Sequence, residues 1–158
     1  MIERLFILVV GGDVKERNRL QALLDIEGHS LLTANSGASA IELARTNHFD
    51  IIFVDDCLED FDAIKLLNAL KAISTSCKGI ILMSDIFNSK EHMTLEDLNK
   101  ASEFEAKAIE AGAKKVIKKP FSVATIMDIL ETISKIMGFL VSIGDQAAHF
   151  IGWTKGGK

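Results

Sequence analysis

An α/β fold, with a five-stranded parallel sheet between two helical layers, is predicted for this chain by three observations. Five short runs rich in branched aliphatics alternate with longer stretches of helical period. Two of those runs are apolar on consecutive residues, Ile51-Ile52-Phe53-Val54 and Ile80-Ile81-Leu82-Met83, the pattern of strands covered on both faces. The length, 158 residues with 48% hydrophobic content, supplies one sizeable core and leaves almost no room for a second folded module.

The strand runs are LFILVV at 5–10, SLLTA at 30–34, DIIFV at 50–54, GIILM at 79–83 and KKVIK at 114–118. The first helix starts after Asp13, a side chain suited to accept from free helix N–H groups. It sets Leu20, Leu23 and Leu24 on one stripe and stops at Gly28, which adopts the left-handed conformation at no steric cost. Ser36 to Asn47 forms the second helix. The third runs from Asp62 to Ile73, with Ile64, Leu67, Leu70 and Lys71 at helical spacing. Thr94-Leu95-Glu96-Asp97, a capping box with Asp in place of Glu or Gln, announces the fourth, which ends at Gly112. Before it, IFNSKEHM at 86–93 is polar and aperiodic and reads as a loop.

The fifth helix begins after Pro120-Phe121-Ser122 and outlasts the domain. Ile126, Leu130, Ile133, Met137, Leu140, Ala147 and Ile151 keep one stripe, with Gly144 in its remaining slot, and Ile129, Ile136, Ile143 and Phe150 form a second row beside it. Two readings follow. Either the helix breaks at Gly138 and the segment 138–158 folds back on the core of domain 1–137, or that extra helical segment pairs with a second copy as a homodimer.

Composition narrows the function classes. Eighteen basic against 22 acidic residues give a net charge of −4, with no broad cationic surface for nucleic acid, so a protein partner is expected. Cys57 and Cys77 lie far apart without a CxxC or Cys/His cluster, which argues against a zinc site or disulfide framework and fits a reducing cytoplasm. The opening MIERLFILVVGGD carries Glu3 and Arg4 and no small-residue cleavage site, unlike a signal peptide. Asp145, Gln146 and His149 interrupt the apolar stretch from Ile136 to Trp153, short of the roughly 20 continuous apolar residues that span a bilayer.

In an open parallel α/β sheet the functional crevice lies beyond the carboxyl ends of the strands. Those ends are Gly11-Gly12-Asp13, Asp55-Asp56, Ser84-Asp85 and Lys119-Pro120, so acids, a hydroxyl and an amine should converge. Strand alternation turns Asp55 toward the crevice and Asp56 away. The GGD after the first strand is neither a G-x-G-x-x-G nor a Walker loop, which argues against a nucleotide-binding enzyme.

FVDDCLEDFDA at 53–63, Ala34-Asn35-Ser36-Gly37-Ala38-Ser39-Ala40 and EAGAKKVIKKPFS at 110–122 together resemble the receiver domain of bacterial two-component response regulators over about residues 4–137. The resemblance implies a doubly wound, flavodoxin-like sheet of order 2-1-3-4-5 and no enzymatic activity of its own. It implies Asp55 as phosphoacceptor, Lys119 as the cation that neutralises the incoming phosphoryl group, and Ser84 as the hydroxyl that turns toward it. A histidine kinase or phosphotransfer protein would be the donor and a downstream protein the target.

Several positions depart from the family. Glu59 replaces a proline, Ala63 a glycine and Val116 an aromatic. Receivers follow the first strand with two adjacent acids that hold Mg²⁺ with the acceptor Asp, and here those positions are Gly11 and Gly12. Mg²⁺ requires hard oxygen donors in near-octahedral array. Asp55 alone should therefore hold it weakly, and Asp13, one position beyond the pair, suits helix capping better than ligation. The expectation is a stand-alone, atypical cytoplasmic receiver in a phosphorelay, signalling by protein contact. The alternatives are a phosphorylation-independent pseudo-receiver acting as an interaction module and, less favoured, a small flavodoxin-like phosphatase or nucleotide binder using Asp55 and Asp56.

Overall fold

The computed structural model describes residues 4–85 and 93–150, the last of these, from 137, by backbone alone. The expected loop at 86–93, apart from Met93, and the tail beyond 150 lie outside the described residues. The chain divides into two units, Arg4–Phe121 and a helical unit from Ser122 onward.

In the first unit, β1 (Phe6–Val10), β2 (Ser30–Ala34), β3 (Ile51–Asp55), β4 (Gly79–Ser84) and β5 (Lys115–Lys118) alternate with α1 (Val14–Ile26), α2 (Gly37–Thr46), α3 (Ala63–Ile73) and α4 (Leu95–Ala111). The strands form one sheet in the order β2-β1-β3-β4-β5, and every pairing is parallel. This is the flavodoxin-like, doubly wound arrangement that the sequence resemblance implies. β3 and β4 are buried at every residue, as consecutive apolar positions require of central strands. β2, at the edge, leaves Leu32 and Thr33 exposed. One face of the sheet (Leu8, Val10, Ile52, Val54, Ile80, Leu82) packs with Leu66, Leu67 and Leu70 of α3, Ala40 and Ala44 of α2 and Ala108 of α4.

Local signals act as their chemistry dictates. Asp13 Oδ1 accepts from Lys15 N at 2.8 Å and Glu16 N at 3.2 Å, capping α1. After α1 the chain turns through Gly28 at φ +82°, a conformation a side chain would strain. Thr94 and Asp97 form the reciprocal capping box of α4. Asp62, by contrast, precedes α3 without a side-chain cap bond. A different acid serves α2: Asp60, from the β3–α3 loop, accepts from Gly37 N at 2.9 Å and Ala38 N at 3.0 Å. These amide bonds hold its carboxyl below the usual range. A Cβ on Gly37 would stand 2.6 Å from Phe61 Cδ2, so the glycine lets this loop lie directly on the start of α2.

The second unit is the helix α5 (Val123–Phe150), in which Ile126, Ile129, Leu130 and Ile133 are buried. It continues through Gly138, so the break expected there does not occur. One interior glycine costs only about 1 kcal/mol relative to alanine, too little to end a helix whose flanking turns all propagate. Among the described residues no helix is long and apolar enough to cross a membrane.

Candidate functional site

Parallel registration carries four strand ends to one edge. Asp55 pairs with Met83 and Ser84 with Lys118, and the ladder extends one step further as Asp56 N donates to Met83 O and Lys119 N to Ser84 O, both at 3.0 Å. Asp55, Ser84 and Lys119 are all buried, each residue at most 3% exposed, although every one is polar. Buried polar groups of this kind persist only when paired.

Lys119 is the hub. Its Nζ donates to Asp55 Oδ1 at 2.5 Å and faces Asp56 Oδ1 at 3.4 Å, Glu16 Oε2 at 3.6 Å and Asp85 Oδ2 at 3.7 Å. Burial by itself would lower the ammonium's pKa. The hydrogen bond and charge of Asp55, joined by Asp56 and Glu16, overcome that and raise it above the ordinary lysine value, so Lys119 is a fixed cation. Asp55 Oδ1 also accepts from Cys57 N at 3.0 Å. Its second oxygen, Oδ2, faces the glycine side, 3.7 Å from where a Gly11 Cβ would stand.

The three residues expected at the site are thus brought together, but Asp56 is arranged differently from expectation. Asp56 does not point away. β3 ends at Asp55, and the bend after it returns the Asp56 carboxylate to the crevice, where Oδ2 accepts from Ser84 Oγ at 2.6 Å. Alternation holds only while the strand does. Burial pushes the Asp56 carboxyl up, but hydrogen bonds from Ser84 and Cys57 and the charge of Lys119 hold it below the usual range.

Glu16 and Arg17, in the first turn of α1, also belong to the site and were invisible as such in the sequence. An acid in a first turn reads as a complement to the helix dipole. Burial raises the Glu16 carboxyl against the pull of Lys119, and the charge of Asp55 adds to the rise. Arg17 Nη1 donates to Gly11 O at 2.6 Å, laying its stem against Gly11. Asp13, committed to its helix cap, is exposed and outside the cluster.

The pattern of the response regulator receiver domain matches residues 7–131. The chain belongs to that family. Among curated relatives, the transcriptional regulatory protein ZraR of Escherichia coli (strain K12) is 36% identical over 76 residues, 48% of this chain but only 17% of that protein. A two-component response regulator from Clostridium difficile shares the fold at TM-score 0.71 and 22% identity, over 85% of this chain and 98% of its own. The receiver domain of sensor histidine kinase PA1611 from Pseudomonas aeruginosa PAO1, whose structure has magnesium coordinated in its active site cleft, matches at TM-score 0.66 and 19% identity, over 84% and 99% of the two chains. This receiver is therefore a module of two-component signalling, and the chain spans about a sixth of the ZraR relative.

Whether this receiver's residues suit Mg²⁺ can be tested on its donors. Asp55, Asp56 and Cys57 place one potential ligand atom each within 4.8 Å of one another. A thiol is a poor ligand for a hard cation, and partial burial with the neighbouring Asp56 raises that of Cys57 to about 11, keeping it protonated. Asp55 Oδ1 is held by Lys119 and Asp56 Oδ2 by Ser84. A Cβ at Gly12 would point toward Cys57 O at 3.5 Å and one at Gly11 toward Asp55, so the positions from which acids would complete a ligand set carry none. The set present does not fit Mg²⁺ well.

Proposed function

We propose that this receiver accepts a phosphoryl group on Asp55 and passes the signal by protein contact, with Mg²⁺ bound only weakly. The observation that carries the reading is the buried Lys119 ammonium, 2.5 Å from Asp55 Oδ1, which leaves Oδ2 on the open glycine side as the nucleophilic oxygen. A carboxylate is a weak nucleophile that meets repulsion from an anionic donor, and a fixed cation lowers that repulsion. Asp55 Oδ2 attacks phosphorus, the bond from phosphorus to the donor's leaving group breaks, and the leaving group departs with its electron pair. Lys119 stays protonated throughout and spreads its charge over the transferred oxygens. Ser84, at the end of β4, supplies a hydroxyl proton to one of them.

The donor on this reading is a histidine kinase or phosphotransfer protein, and the target a downstream protein. Incubation with acetyl phosphate followed by mass spectrometry tests it. Phosphoryl on the peptide carrying Asp55, absent in Asp55→Asn, is the expected result. Modification that persists in Asp55→Asn and vanishes in Asp56→Asn would overturn the assignment.

A second reading has its own support. Gly11 and Gly12 remove the acid pair and Lys119 is already ringed by carboxylates, which favours a pseudo-receiver that docks partners without phosphorylation. Absence of any modification, with partner binding unchanged in Asp55→Asn, would select it.

A further inference from the structure

Two consecutive acids stand at the carboxyl end of β3, Asp55 closing the strand and Asp56 in the bend after it, and only the first has a role so far. The second is fixed at three points. Asp56 N donates to Met83 O at 3.0 Å, its Oδ2 accepts from Ser84 Oγ at 2.6 Å, and its Oδ1 faces Lys119 Nζ at 3.4 Å. Among the described residues, that buried Oδ1 accepts no hydrogen bond, and the ammonium is its compensating charge. Ser84 is fully buried, and a hydroxyl has a single proton to donate. While Asp56 accepts that proton, no other anion can.

A carboxylate and a phosphoryl group offer a hydroxyl and an ammonium the same thing, anionic oxygens at hydrogen-bonding distance. We propose that Asp56 is a built-in occupant of the phosphoryl site: its carboxylate takes up in advance the Ser84 hydroxyl and the Lys119 charge that a phosphoryl group on Asp55 uses. The inference rests on the reading of Asp55 as phosphoacceptor. It has two consequences. The carboxyl end of β4 is held in its anion-engaged arrangement before any phosphorylation, and an incoming phosphoryl group must displace a like-charged neighbour.

The test uses the full chain in two arms. The first is a double-mutant cycle on urea unfolding with Asp56→Ala, Ser84→Ala and the pair. The proposal expects the unfolding constant of the double variant to depart from the product of the single effects by about fivefold or more, as directly bonded side chains do. The second arm follows acetyl phosphate labelling by mass spectrometry, where Asp56→Ala should label on Asp55 faster than the native chain by about tenfold, the effect of removing one like charge at close range. Asp56→Asn, similar in shape but uncharged, repeats that arm and guards against misfolding of the alanine variant.

Additivity within about twofold overturns the proposal, since residues that do not interact behave so. Equal and measurable labelling of native and both Asp56 variants overturns it as well. Coupling without labelling of any form supports the hold of Asp56 on Ser84 and removes the phosphoacceptor reading instead, so the two ideas fail separately.

Discussion

Replacing Lys119 by methionine keeps the length of the stem and removes the charge at the centre of the site. At an effective dielectric of about 20, the 2.5 Å contact with Asp55 alone carries roughly 6–7 kcal/mol of gross attraction. Desolvation of two side chains that are each only 4% exposed offsets much of this, and breaking one buried pair costs about 3–5 kcal/mol because a charge is left uncompensated. Here two acids lose their partner, Asp55 and, at 14% exposure, Asp56. The loss should therefore lie at the upper end of that range near neutral pH.

Its pH dependence follows from the pKa directions. In the native chain Asp56 is held below its ordinary 3.8, so its contribution is present above about pH 4 and disappears as pH falls through the lowered value. Lys119 is raised above its ordinary 10.5, so its contribution is complete below that value and disappears only as pH rises through the higher one. In Lys119→Met the adjacent carboxylates repel, and the folded pair takes up a proton more readily than the unfolded chain. Stability of the variant should then rise as pH falls toward 5, by up to about 1.4 kcal/mol per pH unit for one proton. Urea unfolding of both chains at pH 7.5 and pH 5 measures this. A deficit below about 1 kcal/mol, equal at the two pH values, would show that the pair is solvated and refute the reasoning.

Three further outcomes are expected. Gly12→Asp, whose Cβ has space and points toward Cys57 O, should bind Mg²⁺ at least about tenfold more tightly than the native chain by calorimetry, since it adds a hard anionic ligand; tight binding by the native chain would contradict the weak-metal reading. Gly37→Ala places a Cβ 2.6 Å from Phe61 Cδ2, 2.7 Å from its Cγ and 2.8 Å from its Cβ, and should cost about 1–3 kcal/mol in urea unfolding; a loss below about 0.5 kcal/mol would show that the loop gives way freely. Truncation after Met137 removes the last turns of a helix that runs to Phe150 and whose sequence carries two apolar rows. It should lower either the mass by light scattering, which identifies a homodimer, or the thermal midpoint at constant mass, which identifies packing on the chain's own domain; no change in either would remove both roles for residues 138–158.

Local chemistry determined most of the fold. Five aliphatic runs became five strands to within a residue, because burial on both faces needs consecutive apolar positions, and Asp13, Thr94 with Asp97, Gly28 and Gly112 marked the helix ends through side-chain caps and positive φ. Asp55, Ser84 and Lys119 were legible because parallel strands deliver their carboxyl ends to one edge, so position in the run was enough. What lay beyond the strand ends was decided by tertiary structure. The bend after β3 turned Asp56 onto Ser84, against an alternation that holds only within a strand. Asp60 accepts from the first amide of α2 from 23 residues away, a partner that no local pattern marks, while Ser36 caps the same helix from its own position. Glu16 and Arg17, ordinary first-turn residues in the sequence, entered the site because α1 starts directly behind the two glycines. Periodicity and capping act over a few residues and are written in the local sequence, whereas the partner of a buried charge is set by which chain segments the folded sheet brings within about 4 Å.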